Sequence, residues 1–114
     1  MLTLDKLRDY GANVKEGMER CFNNEAFYLR LVGMGFADGN FDKLEKAMAN
    51  RDAAAAFEAT HALKGSIGNL ALTPIYAPIC ELTELLRGKT MTGDADAIYS
   101  RIAAALAEGR KLMD

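Results

Sequence analysis

Residues 59–72 read ATHALKGSIGNLAL and contain the only histidine of the chain, His61. On a helix each side chain advances about 100° around the axis, so residues three, four and seven places after His61 return to its side. These are Lys64, Gly65 and Gly68. Ala56, Ala59, Leu63, Ile67 and Leu70 fall on the opposite side as a continuous apolar stripe. The stretch therefore predicts an amphipathic helix that buries the stripe and turns the imidazole to solvent. Each glycine inside a helix costs about 1 kcal/mol relative to alanine. Next to the histidine, Gly65 and Gly68 would clear side-chain bulk from a ring that an ammonium group already accompanies. Such an arrangement suits a nucleophile that accepts an anionic group from another macromolecule.

His61, Leu63, Lys64, Gly65, Ser66 and Gly68 match, in order, the signature His-x-Leu-Lys-Gly-Ser followed by a small residue or glycine. At these residues the chain resembles the histidine-containing phosphotransfer (HPt) domains of multistep phosphorelays, and its length and helical punctuation resemble theirs more loosely. The resemblance implies that neutral His61, through its outer ring nitrogen, attacks the phosphorus of a receiver-domain phospho-aspartate and later passes the group to another receiver aspartate. It implies response-regulator receiver domains and a sensor or hybrid histidine kinase as partners, with the Mg²⁺ held by the receiver and no cofactor bound by this chain. Lys64 would offset the phosphoryl charge. An exposed imidazole, with an ordinary pKa of about 6.5, is mostly neutral and nucleophilic at pH 7.

Working outward, Asp52 is the expected N-cap of the central helix, which runs from Ala53 to about Asn69. Thr73 and Pro74 read as cap and first position of the next helix, whose buried line is Ile75, Ile79, Leu82 and Leu86 and which ends near Gly88. Pro78 lies one turn in and leaves a kink open. A loop with Thr90, Thr92 and Gly93 precedes a last helix over Asp94 to Leu112, with Ile98, Ile102, Ala105, Gly109 and Leu112 along its inner face. Upstream, a short helix over residues 3 to 9 is capped by Thr3, a second runs from Val14 to Phe22, and a third from Glu25 to Ala37. Gly33 and Gly35 in the third either admit a close neighbour or mark an irregularity. Phe41, Leu44, Ala47 and Met48 give a further helical face. No segment reads as a strand. The expected fold is all-α: one domain over residues 1–114, an up-and-down four-helix bundle with short accessory helices at its N-terminus.

If the central helix and its successor form a hairpin turning near Leu72, the position facing His61 is close to Thr83, with Glu84 and Arg87 within a turn of that level. All three are candidate partner contacts. Phe57, four residues before His61, points to the same side; it serves either a partner's apolar surface or the core, and the size of an aromatic side chain weighs toward core. Ser66 falls near the core edge, within reach of a carbonyl one turn earlier.

Fourteen basic against sixteen acidic side chains leave a net charge of −2, so no positive field is available to hold a nucleic acid. No apolar run approaches the roughly 18 residues needed to span a bilayer. The start, MLTLDKLRDYG, lacks the basic region and apolar block of a secretory signal, and a cytoplasmic monomer is the expectation. Cys21 and Cys80 lack CxxC spacing and read as reduced, mostly buried thiols. With one histidine they make no convincing metal set. No glycine-rich phosphate loop is present, so ATP-dependent kinase activity is not expected. The alternative to a phosphoryl carrier is a helical adaptor that docks on a receiver or kinase without carrying phosphate. A haem or metal bundle is poorly served by a single histidine.

Overall fold

The apolar lines read along the chain converge on one cluster: Leu44, Leu63, Ile67, Ile75, Ile79, Leu82, Leu86 and Ile102 all lie in it, essentially inaccessible to solvent. A computed structural model describes residues 1–114, and its regular structure is entirely helical. The elements are α1 (Leu4–Tyr10), α2 (Val14–Arg20), α3 (Glu25–Phe36), α4 (Asn40–Ala49), α5 (Ala53–Ile67), α6 (Thr73–Leu86) and α7 (Gly93–Lys111), with a 3-10 turn, Gly68–Leu70, extending α5. No helix is long and apolar enough to cross a membrane.

Helices α4 to α7 form the bundle, each packed on the next in sequence. The ion pairs across it record antiparallel neighbours. Glu81 of α6 meets Arg101 of α7 at 2.7 Å, and Arg51, just past α4, meets Asp96 at the start of α7 at 2.6 Å. Side-chain caps start most helices, two of them, Thr3 and Asp52, at the positions expected from the sequence. Thr3, Asn13, Asn24, Asp52 and Thr92 each accept a backbone N–H from the first turn that follows.

Helix α6 departs from expectation at its start. Thr73 is the first helical residue and not the cap; Leu72 occupies the cap position without a side-chain bond. Leu72 is fully buried, and its carbonyl accepts the amides of Ile75 and Tyr76 at 3.1 and 2.9 Å, so core burial of this leucine sets the start one residue early. Pro74 then lies in the first turn, where no N–H is required. Pro78 is buried within α6, which runs unbroken to Leu86.

The accessory helices close one end of the bundle. The Asn13 amide donates to Ala71 O at 2.9 Å, the Tyr28 hydroxyl to Leu70 O at 2.8 Å, and Arg20 to Gly68 O at 2.9 Å. Of the two glycines left open in α3, Gly35 is the close-packing one: a methyl there would stand 2.7 Å from Leu70 Cδ1, whereas Gly33 has only Met113 at 3.9 Å. The same end of the molecule therefore clamps the segment where α5 finishes.

Candidate functional site

Alanine-rich sequence with one side-chain cap makes α5 a long regular helix, and its apolar stripe orients it. Ala56, Ala59, Leu63, Ile67 and Leu70 are buried, and His61 is exposed on the opposite face. Thr60, buried beside the histidine, donates its hydroxyl back to the carbonyls of Ala56 and Phe57, each at 3.1 Å, so it needs no outside partner. Lys64 lies one turn after His61 and is half-buried. The helix continues through Gly65, around which a Cβ would meet nothing within 4 Å. That part of the site is open backbone.

Gly68 is a correction. It is not bare: a Cβ there would stand 3.3 to 3.5 Å from the ring of Tyr76, and its carbonyl is taken by Arg20. The α-helix also ends at this residue and tightens into the 3-10 turn. The glycine therefore leaves room for the ring of Tyr76, and the strip of backbone is not bare here as it is at Gly65. Thr83 is a second correction. It is completely buried and donates to Ile79 O at 2.7 Å, so a docking surface cannot reach it. The register of α5 against α6 places the next residue, Glu84, at the surface instead.

Glu84 and Arg87 are both exposed and form a two-bond pair, with Arg87 Nε and Nη2 donating to the two carboxylate oxygens at 3.2 and 2.9 Å. These hydrogen bonds hold the Glu84 carboxyl below its ordinary range, and the charges of Arg87 and Lys64 act in the same direction. Phe57 is neither wholly core nor free. It is half-buried against the apolar cluster, its ring is stacked on His61, and the Arg87 guanidinium carbon lies 5.5 Å from its centroid.

Two contacts near the motif carry no sequence signal. Ser66 is exposed and donates to Asp38 Oδ2 at 2.8 Å, which ties α5 to the loop before α4, while its approach to Leu63 O is long at 3.4 Å. Asp38 in turn accepts the Asn40 amide at 2.8 Å. Tyr76 over Gly68 is the other. Both join residues on different segments of the fold, and neither Asp38 nor Tyr76 stands out from its local pattern.

The surface around His61 thus presents an imidazole, two cations, one carboxylate already engaged by Arg87, and an open strip at Gly65. It can offer a ring-nitrogen lone pair to an electrophile and balance incoming negative charge. It has no acid or base cluster of its own. The family model for the Hpt domain matches residues 35–110, which span α4 to α7 and this entire surface. The chain belongs to the Hpt domain family. Hpt domains carry phosphoryl groups on histidine in two-component phosphorelays, alongside histidine kinases and receiver domains, and are carriers rather than kinases. No curated protein and no solved structure matches the chain.

Proposed function

We propose that this chain is a monomeric cytoplasmic carrier that takes a phosphoryl group on His61 from a receiver phospho-aspartate and hands it to another receiver aspartate. The observation that carries the reading is the exposed imidazole in the middle of α5, opposite a fully buried stripe and one turn from Lys64. The outer ring nitrogen gives its lone pair to phosphorus as the N–P bond forms. The P–O bond to the aspartyl carboxyl breaks, and the carboxylate leaves with that electron pair. The imidazolium proton on the other ring nitrogen is then lost to water, and the reverse sequence discharges the group.

Lys64 supplies charge to the three phosphoryl oxygens, and Gly65 leaves room for the receiver's backbone to approach. The reading takes the Mg²⁺ to be bound by the receiver, in keeping with the engagement of Glu84 by Arg87. Incubation with a phosphorylated receiver, followed by detection of acid-labile label, tests the reading. Label should appear on the native protein and be absent from His61→Gln. Undiminished label on that variant would overturn the reading, and receiver binding without label on either protein would make the chain a docking adaptor.

A further inference from the structure

Phe57 links two parts of the site. Its ring and the His61 imidazole are stacked with centroids 5.8 Å apart and planes inclined by only 13°. The same ring carries the guanidinium of Arg87, whose Nε and Nη2 are held by Glu84. The inner part of Phe57 packs on the apolar cluster. The phenyl ring is therefore anchored below by the core and flanked by a cation that is itself tied down.

An imidazole on an exposed helical face ordinarily samples several side-chain rotamers. A flat, core-packed aromatic one turn earlier restricts it, because the offset-stacked arrangement is available from few of those rotamers. The reactive lone pair lies in the plane of the imidazole, so the tilt of that plane determines where the nitrogen points. In-line transfer is sensitive to this alignment. We propose that Phe57 is a positioning residue for phosphoryl transfer: its face holds the His61 ring in one orientation, with the outer nitrogen presented to the incoming group. The Arg87 guanidinium lies over the same ring, 5.5 Å from its centroid. The role in transfer rests on His61 being the acceptor.

Two variants separate this from a docking or packing role. Phe57→Leu keeps apolar volume and removes the flat face; Phe57→Tyr keeps the face. The side-chain three-bond couplings of His61, read by NMR on the unphosphorylated protein without any partner, report its rotamers. Single-turnover transfer from a phosphorylated receiver, measured across receiver concentrations, gives a maximal rate and a half-saturating concentration. The native protein and Phe57→Tyr should show one dominant His61 rotamer, and Phe57→Leu averaged couplings. The maximal rate of Phe57→Leu should fall about three- to tenfold at unchanged half-saturation, with Phe57→Tyr restoring it. Unchanged couplings in Phe57→Leu would overturn the proposal by themselves. So would a raised half-saturating concentration at full maximal rate, which would make Phe57 a receiver contact. If the native protein takes no label, the acceptor assignment fails, while the couplings still report whether Phe57 orients the ring.

Discussion

Gly65 and Gly68 share a helical face with His61, yet a methyl group added to each meets different surroundings. At Gly65 it meets open space, so Gly65→Ala should raise stability by up to about 1 kcal/mol through helix propensity alone. Gly65→Leu should keep the helix and, if the receiver docks over this strip as proposed, slow transfer by filling the open space there. At Gly68 the methyl presses on Tyr76, so Gly68→Ala should gain less stability than Gly65→Ala or lose some. Thermal unfolding of the two alanine variants, with transfer rates for Gly65→Leu, checks both. Lys64→Ala should lower the transfer rate roughly tenfold or more, the size expected when a charged hydrogen bond to the phosphoryl group is lost. Fold and receiver affinity should change little, and a retained rate would show that other charges suffice. The helix, the outward histidine and its lysine were legible in the sequence, because all three follow from helical periodicity. The difference between Gly65 and Gly68 was not, because it depends on a tyrosine from α6.

Buried Tyr28 ties α3 to the end of α5, and half-buried Tyr10 ties α1 to α7. Burial pushes the Tyr28 phenol up to about 12, and burial raises that of Tyr10 as well. An ordinary phenol ionises near 10, so below that pH both folded and unfolded chains keep the proton and the stabilisation is complete. Between about 10 and 12 the unfolded chain ionises first. Stability should therefore fall as pH rises through this window. Urea unfolding at a series of pH values from 9 to 12 should show a falling midpoint, with a shallower decline in Tyr28→Phe. That variant should also lose about 1 kcal/mol at neutral pH, as Leu70 O loses its 2.8 Å donor. A pH-independent midpoint would mean that the phenols ionise freely in the folded protein.

The family match begins at residue 35, but the core does not. Leu7, Val14, Cys21, Tyr28 and Val32 are buried in the same cluster as the bundle residues, and the Tyr10 hydroxyl donates to Ala105 O at 2.8 Å. Removing residues 1–23 would strip Leu7 and Val14 from that core and uncover their neighbours. At about 1.5 to 3 kcal/mol for each fully buried aliphatic side chain, with Tyr10 and Cys21 in addition, the loss is roughly 5 kcal/mol or more. That is comparable to the whole stability of a small domain. The shortened chain should unfold at a much lower temperature or bind a hydrophobic dye, although it retains every residue matched by the family. A cooperative transition at the original temperature would show that the accessory helices are dispensable. The exposed ion pairs Glu81–Arg101 and Arg51–Asp96 matter less, at about 0 to 1 kcal/mol each.

By itself the sequence determined the helices, the apolar stripe and the direction in which His61 faces. Each of these follows from neighbours along one chain segment and the 3.6-residue repeat. Only the tertiary structure decided what lies across from that helix. A shift of one residue in the register of α6 rotates its side chains by about 100°. That rotation separates a buried Thr83 from an exposed Glu84, and the register found covers Gly68 with Tyr76 and brings the Arg87 guanidinium, at the end of α6, to the phenyl ring that lies against the imidazole.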